Sequence, residues 1–134
     1  EILCRSRDAS ELKSEVAGMR LRMRKELDSS NEDVFDLKQG VGGIADIEFV
    51  VQYAVLRWAN QHPRLTRWTD NIRLLQTLAE EKLLPEAETL ISAYQVFRHA
   101  MHRQRLQQNS GQVADAEFQL ERQAVAARWA KWLG

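Results

Sequence analysis

Three glycines, Gly40, Gly42 and Gly43, stand directly before two carboxylates, Asp46 and Glu48, in the stretch DLKQGVGGIADIEF at residues 36–49, and a long apolar run follows. Two kinds of chemistry suit this arrangement. A helix entered through glycines presents unpaired backbone N–H groups at the positive end of its dipole. The missing Cβ atoms also let an anion or another chain come close, so a phosphate is favoured. Paired carboxylates, in turn, are candidates for holding a metal ion. Against the first, GVGG matches neither the P-loop spacing nor the dinucleotide fingerprint. Against the second, residues two apart on a helix project about 200° from each other. Asp46 and Glu48 therefore cannot face one ion unless the first turn is unwound, and one of them turns outward. The dipole alone stabilises such carboxylates by about 0.3–1 kcal/mol each, which accounts for the pair without a ligand. Lys38, just before the glycines, is placed to serve a nucleotide phosphate or an acidic neighbour, or to stand in solvent.

The remaining candidates are weaker. Glu48, Gln52 at i+4 and Ala59 form a thin polar or small stripe on an otherwise apolar helix, and such a stripe must meet partners inside a bundle or face a second domain. Arg20, Arg22, Arg24 and Lys25 read as a solvated helix face. Arg64, Arg67 and Trp68 are candidates for binding a partner, Trp68 equally a core anchor or interface plug. His62, His99 and His102 lack the spacing and the nearby carboxylate that a metal site needs. No Ser/His/Asp arrangement, cysteine nucleophile or zinc motif stands out.

The elements that carry these residues read as helices. Leu12, Val16, Met19, Met23 and Leu27 recur at steps of three and four across Ala9 to Leu27, with Ser10 or Asp8 available as N-cap. Val34 to Leu37 reads as a short extended piece ended by the glycines. Ile44, Ile47, Val50, Val51, Ala54, Val55 and Trp58 give the central helix, apolar on nearly all sides. Pro63 opens a connection, with Thr66 or Thr69 to cap a third helix bearing Ile72, Leu75, Leu78 and Ala79. Pro85 suits the first turn of a fourth, which QNSGQ breaks. A fifth runs from about Asp115 to Leu133. The expected class is all-α, a bundle of about five helices forming one domain over residues 1–134.

Composition narrows the function classes. The 134 residues are 44% hydrophobic, enough for a core, and 19 basic residues balance 19 acidic ones, so no global field draws nucleic acid or an anionic membrane. The longest apolar stretch is too short and too interrupted to span a bilayer. A single cysteine, Cys4, forms no internal disulfide and suits a reducing cytoplasm. The polar start without Met suggests a piece excised from a longer chain.

With these elements in place, DLKQGVGGIADIEFVVQYAVLRWA, HPRLTRWTDNIRLLQTLAE and ERQAVAARWAKWLG together resemble the carboxy-terminal end of the bacterial glutamine synthetase adenylyltransferase/adenylyl-removing family, and the resemblance covers nearly the whole chain. Its most specific part is Gly-Gly-Ile, two residues, then Ile-Glu-Phe. The family joins two nucleotidyltransferases, one removing AMP from glutamine synthetase and one attaching it, each an α/β core followed by a helical domain. The removing half usually has Arg-Glu where this chain has Ala45-Asp46, so the resemblance implies the helical domain behind the attaching half. The family's Gly-Ser turn and paired metal-binding aspartates are absent, so no catalytic residue and no metal ligand is expected here. ATP and Mg2+ are expected with the upstream core and not on this chain. Expected partners are that core, glutamine synthetase and the PII signalling protein. Lys38, Gly42, Gly43, Asp46 and Glu48 are the expected wall of the nucleotide cleft. The alternatives are a regulatory module that binds PII or glutamine synthetase, and the equivalent domain of the removing half.

Overall fold

A computed structural model describes residues 9–67, 69–107 and 111–134. Cys4, the Asp8 cap and Trp68 lie outside the described residues. Five α-helices follow one another, α1 (Ala9–Leu27), α2 (Ile44–Trp58), α3 (Asn71–Glu80), α4 (Ala87–Leu106) and α5 (Gln119–Leu133), with a 3-10 turn at Pro63–Thr66. This is the expected helical class. Two three-residue strands, β1 (Val34–Asp36) and β2 (Gln112–Ala114), pair antiparallel with Phe35 opposite Val113. The extended piece before the glycines therefore has a partner that periodicity did not signal.

Helix α2 is the axis of the bundle and touches each of the other four helices. Ile44, Ile47, Val50, Val51 and Ala54 are shut off from solvent, each large aliphatic among them contributing about 1.5–3 kcal/mol of burial. Trp58 meets Trp132 of α5 edge-on, with ring centroids 5.8 Å apart. Phe97 of α4 meets Phe35 of the ribbon at 6.5 Å and Phe118 at 5.9 Å. The ribbon thus closes one end of the core.

Helix α1 departs from the expected face. Met19 and Leu27 are 47% and 54% exposed, whereas Leu12, Val16 and Arg20 are buried. The inward line is 12, 16, 20, 24, a run of i,i+4 steps, and its third and fourth places are held by arginines. Arg20 is therefore not part of a solvated face.

Three boundaries also differ. Asp70, not Thr66 or Thr69, caps α3, its carboxylate accepting from Ile72 N–H at 2.8 Å, as aspartate favours. Pro85 precedes α4 without entering its first turn, because Glu86 sits at φ 63° and redirects the chain. Helix α5 starts at Gln119, because Phe118 at φ 60° turns the chain there.

Candidate functional site

The loop between β1 and α2 is held first by Asp36. Its carboxylate accepts from the backbone N–H groups of Lys38 and Gln39 at 3.0 Å each, and from the N–H and hydroxyl of Ser29 at 3.1 and 2.8 Å. Burial pushes this carboxyl up, but the four hydrogen bonds outweigh it and hold the group below the ordinary aspartate range. The chain then folds back on itself. Gly40 N–H donates to Asp36 O, Gly43 N–H to Gly40 O, Ile44 N–H to Leu37 O and Ala45 N–H to Lys38 O, all within 3.0 Å.

Asp46 completes the turn from inside. Its Oδ2 accepts from Gly42 N–H at 2.7 Å, and its Oδ1 from Arg20 Nε at 2.6 Å and Arg24 Nη2 at 2.5 Å. Arg20 has no solvent exposure and Asp46 has 1%. Arg20 also donates from Nη1 to the Gln39 side-chain oxygen at 2.9 Å and from Nη2 to the Gln39 carbonyl at 2.8 Å. One guanidinium thus joins α1, the turn and α2 through three charge-assisted bonds. The N–H groups of Gly42, Gly43, Ile44 and Ala45, which would cradle an anion at a helix start, are all taken by the chain's own oxygens.

The glycines answer to packing. Gly42 lies at φ 81°, and a Cβ there would stand 2.3 Å from the Arg122 carbonyl oxygen of α5. A Cβ on Gly40 would lie 2.4 Å from the Phe35 ring, whose face is covered by the Arg122 guanidinium at 3.8 Å. Gly43 has φ −89°, so it needs no left-handed freedom; a Cβ there would lie 2.6 Å from Leu37 O.

The five candidates divide by position. Gly42, Gly43 and Asp46 are buried, Lys38 is exposed, and Glu48 is half-buried with exposed Gln52 one turn on. Asp46 turns inward and Glu48 does not, as their angular separation required. Glu48 and Gln52 border a groove of about 400 Å3 between α2 and α3, with Val51, Val55 and Leu74 among its lining residues.

Of the partner-binding candidates, Arg64 and Arg67 fall within the described residues. Arg64 donates to Glu80 at 2.5 Å and to Glu81 at 3.0 Å, and Glu81 also meets His62 Nδ1 at 3.0 Å. The hydrogen bond to Glu80 first, and the one to Glu81, hold Arg64 above its usual range. Its charge is largely answered within the fold. Arg67 is exposed. Among the described residues no group of three or more His, Cys, Asp or Glu is placed to hold a metal ion, and no helix is long and apolar enough to cross a membrane.

Arg20, Gln39, Asp36 and Arg122 build the site and escaped the sequence reading as builders of it. For Arg20 and Arg24 the signal was present in their i,i+4 continuation of Leu12 and Val16.

A sequence model described as GlnD PII-uridylyltransferase matches residues 10–130. The chain is 48% identical, across 99% of its own length, to the bifunctional glutamine synthetase adenylyltransferase/adenylyl-removing enzyme of Nitrosococcus oceani, and it spans 14% of that protein's length.

Proposed function

Because this chain belongs to the GlnD PII-uridylyltransferase family, we propose that it is the helical domain behind an AMP-attaching nucleotidyltransferase core, supporting transfer of AMP from ATP to a tyrosine of glutamine synthetase in the cytoplasm. The choice of glutamine synthetase as the substrate rests on the 48% identity to the bifunctional adenylyltransferase. One geometric observation carries the supporting role. The acidic residue in the first turn of α2, Asp46, is spent on Arg20 and Arg24, so it braces the helix entrance and is not free to hold a metal.

Among the described residues, Asp46 and Glu48 do not make a site for Mg2+. Asp46 is neutralised by two guanidinium groups, and Glu48 leaves the helix on another side. In this reading aspartates of the core would hold the metal ions, which would supply charge stabilisation at the α-phosphate of the transferred adenylyl group. No step of the transfer runs through a residue of this chain. The buried residues Gly42, Gly43 and Asp46 give the domain a stiff edge toward the core, and Lys38 and Glu48 stand at that edge as the cleft-lining side chains.

The test compares two reactions in the full-length parent. Asp46→Ala loosens the braced turn and is expected to lower AMP attachment to glutamine synthetase while leaving AMP removal close to the unaltered rate. Loss of removal with attachment intact would reassign the chain to the removing half. Metal-dependent AMP transfer by the 134-residue chain alone would overturn the supporting role altogether.

A further inference from the structure

Charge is segregated within this chain. Although 19 basic residues balance 19 acidic ones overall, no aspartate or glutamate lies between Glu88 and Asp115, a stretch that holds Arg98, Arg103 and Arg105. Most of that stretch is helix α4, whose inner side is given to Ala93, Phe97 and Ala100. Arg98, His102 and Arg105 are exposed on its outer side. At about 100° per residue they fall within an arc of about 60° and span about 10 Å of the helix axis. Leu106, 72% exposed, stands about 40° from His102 on the same side. The helix dipole accounts for Arg103 and Arg105 in the last turn, but not for Arg98 about two turns earlier. Among the described residues Arg98, His102 and Arg105 have no ion-pair partner, and Arg98 only lies over the Tyr94 ring at 5.9 Å. Two carboxylates border hollows on this helix without pairing to it: Asp70 is committed to Ile72 N–H as the cap of α3, and Glu117 shares a hollow with Arg103.

We propose that this outer side of α4 is the docking surface for an acidic helix of a protein partner, one with two carboxylates seven positions apart to meet Arg98 and Arg105 and an apolar side chain to cover Leu106. Seven helical positions span about 10 Å, so a facing helix matches the spacing of the two guanidinium groups. Arginine beside exposed apolar surface is the composition of a protein interface. A nucleic-acid backbone suits the surface less well, because it binds through many phosphate contacts. Here Glu88, exposed nearer the start of α4, and Glu117 beside Arg103 repel a run of phosphates that continues past the cations. None of these residues belongs to the braced turn, so the proposal goes beyond the functional reading and does not depend on it.

The test follows the fluorescence anisotropy of a labelled Ala-rich helical peptide, carrying two Glu seven positions apart and a Leu on the same face, as the full-length parent is added. The unaltered parent is expected to bind it. Arg98→Glu with Arg105→Glu should weaken that binding about tenfold or more, and Arg98→Gln with Arg105→Gln about threefold or more. Arg22→Glu with Lys25→Glu makes the same charge change at exposed positions of α1 and should leave the binding close to unaltered. Both arginines of α4 are exposed and unpaired, so the Glu pair should melt within about 2 °C of the parent; where it melts lower, the Gln pair decides. No binding by the unaltered parent, binding indifferent to the α4 pairs, or equal weakening by the α1 pair would overturn the inference. Tighter binding of an oligothymidylate than of the peptide would overturn it in favour of a nucleic-acid surface.

Discussion

Arg20 Nε donates to Asp46 Oδ1 at 2.6 Å with both side chains closed to solvent, so a charge pair occupies the place where α1 and α2 would otherwise be joined by apolar contact. Removing either member leaves the other charge buried and short of a partner, which costs about 3–5 kcal/mol. Asp46→Ala and Arg20→Met are each expected to lower the stability of the chain by that order in urea unfolding. The double variant should lose less than the sum, with a coupling of about 0.5–3 kcal/mol. Additive losses would mean that the pair is not the joint described.

Glycine position decides the sign of the next effect. Gly42→Ala brings a Cβ within 2.3 Å of the Arg122 carbonyl oxygen at φ 81°; the backbone strain alone costs about 1–3 kcal/mol, and α5 must move as well. Gly18 lies inside α1, and a Cβ there meets only the tip of Arg22 at 3.5 Å. Gly18→Ala should therefore stabilise by about 0.5–1 kcal/mol. Thermal unfolding of the two variants should shift in opposite directions.

The bundle was legible because its helices repeat apolar residues at helical spacing, and α2 and α3 follow that spacing closely. Arg20 was misplaced because a pattern reader assigns charge to solvent, although its step from Val16 pointed inward. The extended piece at Val34 was read, but its partner strand was missed, because the three residues Gln112-Val113-Ala114 are too few to show alternation. At the candidate site the angular argument separated Asp46 from Glu48 but did not choose between them, since the helix dipole suits either. The choice is made by Arg20 and Arg24, which lie 26 and 22 positions earlier in the chain, beyond what local spacing reports.

Acid should loosen the glycine turn through Asp36. Its carboxyl is held below the ordinary value of 3.8 by backbone and hydroxyl donors that exceed the opposing effect of burial. A lowered carboxyl contributes stability that is present above the unfolded value and is lost as pH falls through the folded one. Urea midpoints measured from pH 5 down to pH 2 should therefore fall below about pH 4. Asp36→Asn should flatten that fall while lowering the midpoint at pH 7, because an amide cannot accept from all four donors as a carboxylate does. An unchanged acid slope in the variant would remove Asp36 from the account.

Glu48 offers the sharpest separation of fold from function. It is half-buried, carries no partner among the described residues, and borders the α2–α3 groove, so its removal breaks no bond inside the bundle. Glu48→Ala should change stability by no more than about 0.5 kcal/mol, which for a chain of 134 residues is a shift of about 2 °C or less in Tm. If the carboxylate fixes the domain against a neighbouring core, the same change lets the cleft drift, and misplacement on the scale of 1 Å can cost about a hundredfold in rate. AMP attachment by the full-length Glu48→Ala parent is therefore expected to fall about tenfold or more with Tm almost unmoved. A variant of full activity would make Glu48 a solvated surface carboxylate, and a variant whose Tm falls in step with its activity would make it a structural one.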